Sequence, residues 1–484
     1  MAIADMTVAQ NVTLISVLVM AVHALGILNA AHAVMNVRLS QSAIAWSISL
    51  ITFPWISIPL YWVLGRSKFH GYTEAIQSAY ERYWHQVSTV SQDLHPHWAS
   101  LPAPLAVLQK PAEALAEIPF TAGNGATLLI DGQQTFSAML AAIESAKDYI
   151  LFQFYIINDD EIGQTFLQAL VKQANRGVRV YVMYDEIGSH KMSRSYLKTL
   201  QRNGIQVTKF HSTKGKGNRF QFNFRNHRKI MVVDGRTAFV GGLNIGDEYL
   251  GKDPKLGAWR DTHMQVQGAA VQCLQISFLK DWYWAMDDTP ENTWAVTPDR
   301  QQNETIFILP SAPAQPRQTC TLFFNSVFNL AQSRLWIASP YFVPDEPTLA
   351  MLKMAALRGV DVRVILPNRP DHLIVYLCSY SYYAELKAAG IKLYRYKTGF
   401  MHQKVMLVDD AIAAVGTVNL DNRSFHLNFE VMAFITAGKF IQQVEAMLKT
   451  DLENSRLVDF ADYQKKPLGF KLAVRIARLM APLQ

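Results

Sequence analysis

Two short stretches of this 484-residue chain hold residue types that together can do phosphoryl chemistry. In RNHRKIMVVDGRTAFVGGLN, His227 and Lys229 stand two apart, followed by Asp234, Gly241, Gly242 and Asn244. The order returns 175 residues later in MHQKVMLVDDAIAAVGTVN as His402, Lys404, Asp409, Gly416, Thr417 and Asn419, with every internal offset kept. A lone His-x-Lys pair carries little information, because a strand histidine is ordinarily half-buried and a strand lysine ordinarily solvated. Two complete copies with one spacing point to a single site built from two halves.

Residues two apart on a strand share a face, so His227 projects with Lys229 and His402 with Lys404. Asp234 lies an odd seven residues from His227, within an Asp-Gly hairpin signal, and Asp409 lies in Asp409-Asp410 between two apolar runs. Both aspartates belong to the repeated signature, and their placing assigns them to the turns that support it. Asn244 and Asn419 are candidates to meet phosphate beside the lysines. Two such faces supply cationic and amide donors that offset charge on a trigonal-bipyramidal phosphorus. One neutral imidazole can attack phosphorus, and the other can pass protons to and from the oxygens. This set calls for no metal and no cofactor. Each histidine also needs an acceptor on its second ring nitrogen. Asp261 in WRDTH and Glu430 in LNFE lie about 30 residues beyond the histidine of their own half and are the candidates, with ordinary salt bridging as the alternative.

The elements that must position these groups also repeat. The first half reads YILFQFYIINDD, EIGQTFLQALVKQANRGVRVYVMYD and YLKTLQRNGIQVTKF before its motif. The second reads LWIASPYFVPD, EPTLAMLKMAALRGVDVRVILP and YYAELKAAGIKLYRY before its own. Short β-branched runs alternate with helical stretches closed by glycine, which predicts an α/β fold with a largely parallel sheet in two similar domains. The expected boundaries are 121–290 and 305–460, joined by a turn-rich link at about 289–304 and preceded by a helical connector over 67–120.

The first 66 residues differ from the rest. Their only charges are Asp5, Arg38 and Arg66, and two uncharged runs cover 13–35 and 43–64. Each is long enough to cross a hydrocarbon core of about 30 Å as a helix, which predicts a transmembrane hairpin. No Lys or Arg precedes Arg38, against a cleaved signal peptide. Trp46, Trp55, Tyr61 and Trp62 are candidate interface anchors, and His23 is read as neutral and facing a neighbouring helix. Arg66, Lys68 and Arg82 outweigh Arg38, so the positive-inside bias puts the body in the cytoplasm.

The formal charge of +7 sits on that body and favours anionic partners. Between Ile187 and Val233 there are eleven Lys or Arg residues and no Asp or Glu. Phe220, Phe222 and Phe224 alternate with polar residues there, a pattern that suits anionic headgroups, a half-buried strand or nucleic acid. The segment 461–484, with Phe470, Val474, Ala477 and Leu479 among Lys471, Arg475 and Arg478, is either an interfacial amphipathic helix or a helix docked on the body. The three cysteines, Cys273, Cys320 and Cys378, form no Cys-x-x-Cys pattern and read as buried thiols.

Both motifs resemble the HKD signature of the phospholipase D superfamily, whose two-copy members form one catalytic site between halves. The likeness is closer still to the bacterial cardiolipin synthases, through RNHRKIMVVDG, VGGLNIGDEY, WRDTH, SPYFVPD and GTVNLDNRSFHLNFE. The resemblance implies an inner-membrane enzyme that moves a phosphatidyl group between two phosphatidylglycerol molecules, giving cardiolipin and glycerol. It implies His227 as nucleophile, His402 as general acid and base, and Lys229, Lys404, Asp234 and Asp409 as the rest of the catalytic signature. Phosphatidylglycerol and anionic membrane lipid are then the partners, and no nucleic acid is expected. A lipid hydrolase using water as acceptor is the nearest rival, and an HKD nuclease a more distant one.

Overall fold

The computed structural model describes residues 2–37, 40–65, 69–214, 218, 223–294, 296–298, 303–315, 317–436 and 438–484. The chain divides into two units. One holds residues 1–71 with 212–224, and the other holds 72–211 with 225–484.

In the first unit a helix runs from Ala2 to Asn36, and its stretch Gln10–Asn36 is long and apolar enough to cross a membrane. The second apolar run is not one helix but two, Ser40–Thr52 and Pro54–Leu64. Pro54 causes the break. A proline ring crowds the residue before it out of the helical region, and Phe53 sits at φ −133°, ψ 59°. The three helices pack on Ala30, Ala33, Leu50 and Tyr61. Gly26 permits the contact, since a Cβ there would lie 2.3 Å from the Leu50 carbonyl oxygen. Polar groups in the apolar runs pair with one another: His32 Nδ1 lies 2.7 Å from the Tyr61 hydroxyl, and Trp62 donates to Asn29 at 2.8 Å. The His23 ring stands edge-on to Trp55 at 5.2 Å. Arg38, Arg66, Lys68, Phe220 and Phe222 lie outside the described residues, while Phe224 packs edge-on to Phe69 at 5.3 Å.

The second unit opens with helices Tyr72–Arg82, Trp84–Leu94 and Gln109–Ala116, and then builds one sheet from both sequence halves. Strands Thr121–Ile130 and Glu304–Ser311 pair antiparallel at its centre, so the halves extend outward from a shared seam. From the seam, the first half adds Thr262–Gln267, Thr237–Gly241, Ile230–Val233, Tyr149–Phe154, Arg179–Asp185 and Gln206–Phe210. The second adds Asn428–Ile435, Ile412–Gly416, Val405–Val408, Arg334–Ala338, Asp361–Pro367 and Lys392–Tyr396 in the same sense, closed by Ser455–Leu457.

The sheet is mixed rather than largely parallel. Tyr149–Phe154, Arg179–Asp185 and Gln206–Phe210 run parallel, as do their three counterparts, because a helix crosses over between them. The motif strands pair antiparallel because tight turns at Asp234 and Asp409 fold each directly onto the next. The crossover helices begin alike, with Asp160 accepting from Gly163 N–H and Asp345 from Thr348 N–H, both at 3.0 Å. Such caps contribute about 1 kcal/mol each. They end alike, with Gly177 and Gly359 at φ +91° and +92°, where a side chain would be strained. Phe152, Phe166, Met231 and Phe239 fill the first core. Fully burying a side chain of this size is worth about 2 kcal/mol.

Candidate active site

Each H-x-K motif begins on a two-residue strand that leaves its own half. Arg225–Asn226 runs parallel to the start of Asn428–Ile435, and Phe400–Met401 runs parallel to Trp259–Arg260. The next amide continues each pairing: His227 N–H donates to the Phe429 carbonyl at 2.9 Å, and His402 N–H to the Arg260 carbonyl at 2.8 Å. Each histidine is thereby hydrogen-bonded to the backbone just before the other half's buried carboxylate.

The side chains follow. His227 Nδ1 lies 2.8 Å from Glu430 Oε2, and His402 Nδ1 lies 2.9 Å from Asp261 Oδ2. Sequence order associates Asp261 with His227 and Glu430 with His402, and the structure exchanges the partners. The reason is the register just described, which places Phe429-Glu430 beside His227 and Arg260-Asp261 beside His402. With Nδ1–H donated to a carboxylate, each ring has its lone pair on Nε2, and at His402 the Lys404 ammonium stands 3.1 Å from it.

The two carboxylates are fixed in different ways. Glu430 accepts from the Thr417 hydroxyl and from Asn428 Nδ2 at 3.0 Å. Asp261 accepts from Thr262 N–H at 2.8 Å and from the Trp259 indole at 3.3 Å. Gly242 occupies the position that Thr417 holds in the other half, and a Cβ there would stand 2.0 Å from Asp261 Oδ1. The shorter acid thus sits against a glycine and the longer one against a hydroxyl.

Lys229 Nζ donates to the His227 carbonyl at 2.7 Å and stands over the Tyr155 ring, whose edge meets the His227 imidazole with centroids 5.0 Å apart. Lys404 Nζ donates to the His402 carbonyl and lies 2.9 and 3.1 Å from the two nitrogens of that ring. Trp259 and Phe400 pack on the His402 imidazole. Tyr155 and Trp259 carried no signal in the motif spacing.

Burial sets the electrostatics of this cluster. Desolvation lowers His227 to about 4 against the pull of Glu430, and it lowers His402, with help from Lys404, to about 4. Desolvation brings Lys404 down to about 8 and holds Lys229 well below the usual lysine range. Burial alone would raise Asp261 and Glu430. Lys404 and His402 keep the first below the usual carboxylate range, and His227 and Lys229 do so for the second. Without a ligand the site therefore holds two neutral imidazoles. An anionic group placed between them would favour the protonated form of a ring.

The remaining candidates divide. Asp234 and Asp409 stand at φ 52° and 50° in their turns, a four-residue strand away from the lysines. Asp234 accepts from the backbone N–H of Lys147, Asp148 and Tyr149, and Asp409 from those of Gln332, Ser333 and Arg334, at 2.8–2.9 Å. These carboxylates tie the motif hairpin to the neighbouring parallel strand. Asn244 accepts from Ile156 N–H at 3.1 Å and donates to the Tyr249 hydroxyl at 2.8 Å, so its amide already has structural partners on both sides. Asn419 differs, since its Oδ1 is buried with no hydrogen-bond partner among the described residues.

Two further buried acids escaped the sequence reading. Asp281 receives Arg228 at 2.7 Å, together with Tyr72, Gln153 and Asn226. Asp451 receives Gln403 at 2.7 Å, and Nε and Nη2 of Arg260 at 2.7 and 3.0 Å. Arg228 and Gln403 are the middle residues of the two H-x-K triplets, so each triplet is pinned at its centre to a helix behind the sheet. The signal was in the repeat, since Asp281 and Asp451 follow Asp261 and Glu430 by 20 and 21 residues.

Fold and site together define a duplicated, two-histidine phosphoryl-transfer protein of phospholipase D type. Comparison with known proteins narrows this. The family model described as "Cardiolipin synthase, PLD-like domain" matches residues 139–274 and 325–452. Cardiolipin synthase A of Pseudomonas putida (strain GB-1) is 44% identical over 475 residues, covering 96% of this chain and 97% of its own. Its counterpart in Pseudomonas aeruginosa (strain LESB58) is 44% identical over 480 residues, covering 98% and 97%. The crystal structure of phosphatidylserine synthase from Haemophilus influenzae Rd KW20 shares the fold with TM-score 0.62 at 15% identity, over 78% of this chain and all of that one. The chain belongs to the cardiolipin synthase family of the phospholipase D superfamily.

Proposed function

We propose that this enzyme, a phosphatidyltransferase, converts two molecules of phosphatidylglycerol into cardiolipin and glycerol through a phosphatidyl-histidine. The observation that carries the mechanism is the exchange of carboxylates between halves, which puts the lone pair of each ring on Nε2 and makes each histidine dependent on the other half. His227 Nε2 attacks phosphorus, a P–N bond forms, and the P–O bond to the glycerol headgroup breaks. His402, protonated once the anionic substrate is bound, gives its proton to the departing alkoxide. It then takes the proton of the acceptor hydroxyl, whose oxygen attacks phosphorus as the P–N bond breaks. Lys229 and Lys404 offset the charge on the non-bridging oxygens, with Asn419 the better-placed amide of the two asparagines. Asp234 and Asp409 act on this reaction through the hairpins that they hold.

The same reading gives the chain an N-terminal membrane hairpin over 1–66, a connector over 67–120, two catalytic halves over 121–290 and 305–460, and a basic segment over 461–484. The helix Gln10–Asn36 supports the first crossing. The kinked pair Ser40–Thr52 and Pro54–Leu64 would make the return, with the catalytic unit on the cytoplasmic side of a bacterial inner membrane. The test is to give the purified full-length enzyme phosphatidylglycerol and follow both lipid products and glycerol. Cardiolipin and glycerol in equal amounts are expected. Phosphatidic acid without cardiolipin would assign the chain to the hydrolases, and cleavage of DNA but not lipid would assign it to the nucleases.

A further inference from the structure

The C-terminal helix Leu468–Leu479 resolves an alternative that its sequence leaves open, because it uses two faces at once. Val474 and Ala477 are buried, Phe470 meets Tyr380 edge-on at 5.2 Å, and the Arg478 guanidinium lies 3.9 Å over the Tyr382 ring. This face docks the helix onto Leu373–Tyr380 and the residues after it. On the other face Leu468, Leu472, Ile476 and Leu479 are 83, 59, 56 and 78% exposed. Their spacing of four, four and three makes a single apolar stripe.

The helix beneath it behaves alike. Leu373 and Ile374, at its start, are 62 and 53% exposed. A soluble protein seldom leaves so many large aliphatic side chains bare on two helices that pack together. The charge of the segment itself is one-sided, since residues 461–484 contain Lys465, Lys466, Lys471, Arg475 and Arg478 against Asp462 alone, a net +4, with Arg478 shared with Glu346 at 3.2 Å. An apolar stripe bordered by cations complements an anionic bilayer, where the aliphatic groups enter the acyl boundary and the basic groups meet the headgroups.

The place in the fold matters. Leu373–Tyr380 follows the strand Asp361–Pro367, at the carboxyl end of the parallel strands, where open α/β sheets carry their sites. Asp371, two residues before it, accepts from the Tyr341 hydroxyl at 2.5 Å, and its charge acts on both His402 and Lys404. We infer that the C-terminal helix and the start of Leu373–Tyr380 form a face that docks on an anionic bilayer and holds the mouth of the catalytic unit against the surface supplying its substrate. This rests on the reading of the substrate as a membrane lipid.

The test uses the full-length protein in vesicles of phosphatidylglycerol and phosphatidylcholine. Cys273, Cys320 and Cys378 are buried, so a fluorophore on Leu472→Cys labels one position. Lys198→Cys, exposed in the first half, is the control. Lipids with brominated acyl chains are expected to quench the label at 472 at least twofold and to leave the label at 198 unchanged. No quenching at 472 overturns the proposal, as does energy transfer between labelled copies without quenching, which would make the stripe an interface between chains. In a second arm, the double variant Leu472→Asp/Ile476→Asp is expected to lose fivefold or more of the turnover of vesicle lipid. Its turnover of the same lipid dispersed in detergent micelles should stay within twofold of the parent. Equal losses in both formats overturn the proposal by showing a folding defect. If the parent makes no cardiolipin in either format, the functional reading fails, and quenching alone then decides the docking.

Discussion

Glu430 reaches out of the second half to hold His227 of the first at 2.8 Å, while Asp261 of the first holds His402 of the second at 2.9 Å. Neither motif histidine takes its carboxylate from its own half. Glu430→Gln and Asp261→Asn preserve shape but remove the charge that fixes tautomer and ring orientation. Each is expected to lower kcat by about 10²–10⁴-fold with KM little changed. Steady-state kinetics on mixed micelles, with circular dichroism to show retained fold, checks this. Losses below tenfold would reduce the carboxylates to ordinary salt bridges.

The position beside each acid is asymmetric. Gly242→Thr would drive a Cβ into the space of Asp261 Oδ1 and displace the carboxylate from His402, so activity is expected to fall by more than about 10²-fold. Thr417→Ala removes one hydrogen bond to Glu430 and leaves Asn428 in place, and a loss of about tenfold is expected. Comparable kcat values for the two variants would contradict the geometry.

Asp234 and Asp409 separate stability from chemistry. Each accepts three backbone N–H groups, so Asp234→Ala or Asp409→Ala should destabilise the fold by roughly 1–3 kcal/mol. Activity should follow the folded fraction, and a denaturant titration beside the assay measures both. An inactive variant of unchanged stability would return the aspartates to the chemistry.

Much of the site was legible in the sequence because its spacing repeats, although each H-x-K triplet lies in the link between two short strands and not on one. His227 with Lys229, and His402 with Lys404, needed only their spacing and its repetition. The carboxylate partners were legible as residues but not as pairs. Sequence distance says nothing about Arg225–Asn226 leaving its own half to pair with Asn428–Phe429. Asn244 looked like a phosphate ligand because its position repeats, yet its amide serves Ile156 and Tyr249. The sheet was read as largely parallel because the crossover helices dominate the pattern, while the antiparallel part depends on two short turns. The second apolar run was read as one helix, and Pro54 splits it.

Arg228 and Asp281 form an ion pair with both side chains almost fully buried. Removing one charge strands the other, so Asp281→Ala should destabilise the fold by about 3–5 kcal/mol. Chemical denaturation measures it, and a change under 1 kcal/mol would show the pair to be solvated in the folded protein.

Acid should weaken the fold. His227 and His402 are held at about 4 and His263 at about 3, against 6.5 for an exposed histidine. Above about pH 6.5 all three are neutral folded or unfolded, and their contribution is constant. Between about 6.5 and 4 the unfolded chain binds protons that the folded chain refuses, so stability falls with pH. Asp421, raised to about 6 by burial, acts in the opposite sense, as do Asp131, Asp185, Glu248 and Glu304. Asp261, Asp345, Asp409 and Glu430, held below the usual carboxylate range, act with the histidines. An apparent Tm lower by about 5 °C or more at pH 4.5 than at pH 7 is expected. A flat profile would mean that the imidazoles are solvated.

The most direct test of a site shared between halves, with His227 as its nucleophile, is mass spectrometry of the enzyme quenched in alkaline denaturant during turnover of phosphatidylglycerol. Digestion must leave His227 and His402 on separate peptides. A phosphatidyl adduct is expected on the peptide carrying His227, absent from His227→Ala and strongly reduced in Glu430→Gln although that glutamate lies 203 residues away in sequence. An adduct on His402, or one that persists in His227→Ala, would contradict the account.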